Sequence, residues 1–147
     1  MSREARQSGA GGAGPLRVAV AGASGRMGRL LIETVEAAAD CTLAASVDVG
    51  SDLRKALRPA QVLIDFTRPE GTMEHLAVCR ELGIKAVVGT TGFSDSQKAE
   101  IAAHAEHIAV VMAPNMSVGV NVVFKLLEMA ARSLAEDYDI EIVEAHH

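Results

Sequence analysis

Hydrophobic positions change rhythm repeatedly along this chain. Leu16-Arg-Val-Ala-Val-Ala21 is short, apolar and β-branched, and it stops at Gly22. The glycines Gly22, Gly25 and Gly28 then give way to the helical pattern Leu30, Leu31, Val35. That predicts a strand, a tight turn and a helix from about Gly25 to Ala39. The alternation recurs: a strand over 43–48, one helical turn over 52–57, a strand over 60–66, a helix over 70–82, a strand over 85–89, a helix to about His107 and a strand over 108–112. Pro69 suits a first helical turn, Gly83 a helix end and Ser94 a helix cap. Five strands separated by helices predict an α/β fold, a doubly wound parallel sheet of Rossmann type with helices on both faces.

Beyond Met112 the rhythm breaks. Pro114 to Ser117 reads as a turn, Val118 to Ala135 as a long helix, and Tyr138-Asp-Ile-Glu-Ile-Val-Glu144 alternates as a strand with one polar face would. The domain reading is a dinucleotide-binding domain over 16–116, then the beginning of an α+β substrate or oligomerisation domain over 117–147, cut short. Its helix and strand are expected to show poorly covered apolar faces. Residues 1–15 hold four glycines and no apolar periodicity, and read as a disordered extension. They lack the apolar segment of a signal peptide.

Composition narrows the function. The 147 residues are 49% hydrophobic, enough for one core of ordinary size, and with no Trp, one Tyr and three Phe that core must be aliphatic. A net charge of −5 without a Lys/Arg block argues against nucleic acid or a membrane surface as partner. Cys41 and Cys79 lie far apart and outside any metal-binding spacing, so they read as reduced thiols, with no metal site.

The candidate chemistry begins at the glycine turn. In such a turn the first glycine leaves the strand, the second lets backbone approach a pyrophosphate, and the third lets helix pack on strand, while the helix N-terminus offers N–H groups to the phosphates. Gly22, Ala23, Ser24, Gly25, Arg26, Met27 and Gly28 are therefore candidate cofactor residues. Asp48 ends the next strand about 20 residues after Gly28, where an acidic ligand for ribose hydroxyls is expected. Val49 follows it and offers no cation to a 2′-phosphate, which favours NADH over NADPH. Arg26 keeps NADPH open, since it could swing toward that phosphate.

Ligands of a doubly wound sheet bind beyond the carboxyl ends of its strands. Phe66-Thr67-Arg68, Gly89-Thr90-Thr91-Gly92 and Ala113-Pro114-Asn115-Met116 lie there, with mostly small or hydroxyl side chains. His75, His104 and His107 read as surface histidines of helices. His146 and His147 differ, because they follow the last strand pattern and adjoin Glu144, an arrangement suited to proton transfer. A terminal pair of histidines is also what a purification tag leaves.

Gly22-Ala-Ser-Gly-Arg-Met-Gly28, Asp65-Phe-Thr-Arg-Pro-Glu-Gly71, Gly89-Thr-Thr-Gly-Phe93, Asn115-Met-Ser-Val-Gly-Val-Asn121 and Glu144-Ala-His-His147 occur in this order. Together they resemble the 4-hydroxy-tetrahydrodipicolinate reductase (dihydrodipicolinate reductase) family of the diaminopimelate and lysine pathway, over about Leu16 to His147. The resemblance implies a cytoplasmic, homotetrameric reductase that uses NADH or NADPH on a cyclic dicarboxylate. It implies that Gly22 to Gly28 hold the pyrophosphate, that Asp48 takes the ribose, and that Gly89, Thr90, Thr91 and Ala113 to Met116 flank the nicotinamide. His146 matches the proton donor and His147 a substrate-binding histidine. The family pattern continues past the histidines to a catalytic lysine and a Gly-Thr pair, so this chain is expected to bind dinucleotide and to turn over negligibly.

Two rival readings differ in what they need. A short-chain dehydrogenase shares the glycine turn but requires Tyr-x-x-x-Lys, and Tyr138 is followed by Ile142 at that distance. A redox-sensing NAD-binding module would need a DNA-binding or partner element, which the acidic charge disfavours. A catalytically dead fragment is the third alternative.

Overall fold

The computed structural model describes residues 14–134 and 138–143. The chain divides into two compact units, 1–113 and 114–147.

The first unit is a five-stranded parallel sheet in the order β2-β1-β3-β4-β5. Its elements are β1 Leu16–Ala21, α1 Arg26–Ala37, β2 Cys41–Val47, α2 Leu53–Leu57, β3 Val62–Asp65, α3 Pro69–Leu82, β4 Lys85–Val88, α4 Asp95–Ala105 and β5 Val110–Met112. Alternate residues of β1 face opposite ways. Val18 and Val20 pack with Val35, Leu31 and Ile32 of α1, whereas Ala19 and Ala21 join Leu57 of α2 and Val78 and Cys79 of α3. Leu76 of α3 and Ile101 of α4 cover Ala86 and Val88 of β4 on that second face. Helices thus lie on both faces, α1 on one and α2 to α4 on the other, as the sequence predicts.

Helix ends follow local chemistry. Asp52 caps α2 by accepting from the Lys55 N–H, Pro69 opens α3, and Gly83 closes it at φ 70°. Ser94 and Gln97 form a reciprocal capping box on α4. Two strands start later than the hydrophobic pattern predicts, because the preceding helix still holds the chain. The Ala60 N–H bonds the Leu57 carbonyl, and the Ile108 N–H bonds the His104 carbonyl.

The second unit contains α5, Val118–Leu134, none of whose residues is buried. Its apolar side chains Val122, Phe124, Leu126 and Met129 are exposed. Before it, the Asn115 side chain accepts from the Ser117 N–H, and Asn121 donates to the Asn115 and Ser117 carbonyls, fixing the turn. The strand expected over 138–144 is corrected for its described residues: 138–143 form no strand. Alternation marks a face, but a strand exists only with a hydrogen-bonded neighbour, and the described residues supply none. Among the described residues no helix is long and apolar enough to cross a membrane.

Candidate dinucleotide site

In chain order the sheet steps from β1 outward to β2 and then to β3 on the other side of β1. Connections leave in opposite directions at that point, so the carboxyl ends of β1 and β3 open a crevice. A cleft of about 840 Å³ occupies it, bounded by the β1–α1 loop, the segment from Asp48 to Leu53, and the β3–α3 junction through His75. That volume falls within the range of small-molecule and cofactor sites.

The glycine turn forms one wall. Gly22 has φ 71°, and a Cβ there would lie 2.9 Å from Thr67 Cγ2. Gly28 is buried in the first turn of α1, and a Cβ there would press on the Gly22 carbonyl. The helix consequently starts directly against the end of β1. Its N-cap residue Gly25 makes no side-chain cap, and its first turn carries no acid. The first N–H groups of α1 therefore remain available to an anion, with the positive end of the helix dipole behind them. These residues fit a pyrophosphate.

Asp48 stands on the second wall. Its carboxylate accepts the Ser24 N–H at 2.7 Å, and Ser24, first through its side chain and then through this N–H, holds the carboxyl below its ordinary range. The Asp48 N–H donates to Ser51 Oγ at 3.0 Å. Asp48 thus ties the end of β2 to the glycine turn and keeps a charged oxygen at the cleft. Val49 beside it is fully exposed and brings no cation.

Of the third wall the sequence marks Phe66, Thr67 and Arg68 after β3, but not its continuation into α3. Arg68, Glu70, Gly71, Glu74 and His75 line it, from the start of α3. Behind it is a buried polar cluster. Asp65, 1% exposed, accepts from His75 Nδ1 at 2.8 Å with one oxygen. With the other it accepts from the Thr67 N–H at 2.9 Å and Thr67 Oγ1 at 2.6 Å. Burial alone would raise the Asp65 carboxyl; the hydrogen bonds from His75 and Thr67 and the neighbouring imidazole outweigh it and leave it lowered. The expectation that His75 and His104 are surface residues is corrected. Both are buried, His75 against Asp65 and the His104 ring without a hydrogen-bond partner among the described residues. Thr72, His75, Leu76 and Cys79 repeat at helical spacing on the covered face of α3, the signal that could have placed His75 inward. His107 is exposed.

Of the residues singled out from the sequence, Gly22, Ser24, Gly25, Asp48, Phe66, Thr67 and Arg68 meet in the cleft. Ala23 is half-buried, while Arg26 and Met27 are exposed on the first turn of α1. Gly89, Thr90, Thr91 and Ala113 follow β4 and β5 outside the cleft lining. Thr91 is exposed, but Thr90 is 5% exposed and its hydroxyl accepts from Thr72 Oγ1 at 2.9 Å and the Thr67 N–H at 3.0 Å. Pro114, Asn115 and Met116 belong to the second unit. His146 and His147 lie outside the described residues.

Residues 16–116 match a family model described as dihydrodipicolinate reductase, N-terminus. The chain is similar to the 4-hydroxy-tetrahydrodipicolinate reductases of Herminiimonas arsenicoxydans, at 53% identity, and of Janthinobacterium sp. (strain Marseille), at 51%. Both alignments cover 90% of this chain and 58% of the relative, so the chain spans less than two thirds of these curated relatives. A solved structure, the dipicolinate-bound dihydrodipicolinate reductase from Paenisporosarcina sp. TG-14, superposes with a TM-score of 0.66 at 26% identity. That superposition covers 80% of this chain and 54% of the other.

Proposed function

Since the chain belongs to the dihydrodipicolinate reductase family, we propose that it supplies the dinucleotide-binding part of a 4-hydroxy-tetrahydrodipicolinate reductase. That enzyme reduces (2S,4S)-4-hydroxy-2,3,4,5-tetrahydrodipicolinate to tetrahydrodipicolinate in lysine biosynthesis through diaminopimelate. The observation that carries the reading is the cleft at the β1/β3 crevice, where the uncapped start of α1 and the Asp48 carboxylate stand together. When bound, the reduced nicotinamide supplies the hydride. The N–H groups that open α1 hold the pyrophosphate, Asp48 accepts from the adenosine ribose hydroxyls, and Thr91 and Ala113 border the nicotinamide side. In the whole enzyme His146 donates the proton and His147 binds the substrate, within a cytoplasmic homotetramer.

NADH is the preferred cofactor in this reading. Asp48 would meet a 2′-phosphate with like charge, and Val49 cannot compensate. Fluorescence titration of the 147-residue chain with NADH tests the core of the proposal. Saturable binding, competed by ADP-ribose, is expected; absence of binding at millimolar NADH would overturn it. NADH oxidation by the full-length protein, with freshly generated substrate, tests the reaction.

A further inference from the structure

Four segments meet at Asp65: the end of β3, the loop that follows it, the first turns of α3, and the loop after β4. The Asp65 carboxylate is ionised and can only accept, so His75 Nδ1 must carry the proton of the bond between them. The second carboxylate oxygen holds the Thr67 N–H and hydroxyl. Thr90 Oγ1 closes the circuit. It receives the Thr72 hydroxyl and a share of the Thr67 N–H, and directs its own proton toward Asp65 at 3.5 Å. Asp65, Thr72, His75 and Thr90 are all buried, and their hydrogen bonds run within the cluster. Thr67 also packs beside Gly22, and the Phe66 ring fills the space that a side chain at residue 89 would need. The cluster therefore fixes three ligand-side segments against one another: the glycine turn, the loop after β3 and the loop after β4.

We propose that Asp65, Thr72, His75 and Thr90 form a positioning unit that holds the Gly89–Thr91 loop in the register required by the nicotinamide half of a bound dinucleotide. Thr90 then acts through its internal hydroxyl, not by touching the cofactor. This rests on the dinucleotide reading above and adds to it a division of labour. The start of α1 and Asp48 hold the adenosine diphosphate half, and the buried cluster aligns the other half.

The test compares NADH with ADP-ribose, which lacks the nicotinamide, on the same chain. Thr90→Val is nearly isosteric and deletes the hydroxyl. It is expected to weaken NADH roughly tenfold, about one hydrogen bond's worth, while ADP-ribose stays within about twofold. Thr90→Ser, which keeps the hydroxyl, should restore NADH. Thr72→Val, which removes the hydroxyl that donates to Thr90, should repeat the Thr90→Val pattern, and Thr72→Ser, which keeps it, should recover NADH. This second pair decides the matter if Thr90→Val fails to fold. Equal losses for both ligands, no loss for either, or failure of both conservative variants to recover NADH would overturn the positioning role. A wild-type chain that binds neither ligand would overturn the dinucleotide reading itself and this inference with it.

Discussion

Replacing Gly28 by alanine sets two effects of opposite sign against each other at one atom. In a helix Ala is favoured over Gly by ~1 kcal/mol, because Gly loses more backbone freedom on folding. At Gly28, however, the new Cβ would press on the Gly22 carbonyl and lie 2.9 Å from Ala23 Cα. These are backbone atoms of the turn itself, with no flexible side chain to move aside, so α1 must shift away from β1. Overpacking costs ~1–3 kcal/mol, and a clash with fixed backbone belongs at the upper end. The expected net result is a loss of ~2 kcal/mol, read as a lower urea midpoint at unchanged slope. NADH affinity should fall as well, because the same shift misplaces the N–H groups that open α1. Gly119→Ala is the control, since a Cβ there meets only Ser117 Oγ at 3.8 Å. It should be neutral or stabilising. If Gly28→Ala were as stable as the wild type and bound NADH equally well, the close approach of helix and strand would not be what this glycine provides.

The wild type should bind NADH more tightly than NADPH by ~1–2 kcal/mol, and Asp48→Ala should narrow the gap while weakening NADH, because it also releases the Ser24 N–H; equal affinities in the wild type would shift weight to Arg26 or Arg68. The Asp65 carboxyl lies below its ordinary 3.8 in the fold. Its contribution is therefore complete above that pH and lost as pH falls through the lowered value, so Asp65→Asn should flatten the acid side of a stability–pH curve below about pH 4. Burial pushes the Cys79 thiol up to about 12. Disulfide exchange reagents should modify it only on the timescale of opening, and labelling of Cys79 as fast as a free thiol would contradict its packing.

What the sequence disclosed, it disclosed through local chemistry. The glycine turn, Asp48, Pro69, Gly83 and Ser94 each act within a few residues of themselves, and each lies where its type requires. The hidden part depends on partners distant in sequence. Thr67 and Thr90 both look like loop hydroxyls, and only the pairing of β3 with β4 brings them together. His75 sits between Glu74 and Leu76, so its immediate neighbours in sequence are silent about Asp65 at the end of β3. The alternation at 138–144 failed for the converse reason: the pattern was present, and a partner strand among the described residues was not.

The order of the sheet also sets a timetable for synthesis. The strand second in the sheet order, Leu16–Ala21, is made before either of its neighbours, and its two edges are taken by β2 and then by Val62–Asp65. At ribosomal rates the β3 edge of β1 stays open for a few seconds after the strand is complete. During that interval the apolar run Val18 to Ala21 is an unpaired strand edge in a growing chain, the kind of surface that other chains add to. A pause in translation before residue 65 would prolong that exposure, whereas one placed after β3 would let the centre of the sheet close first.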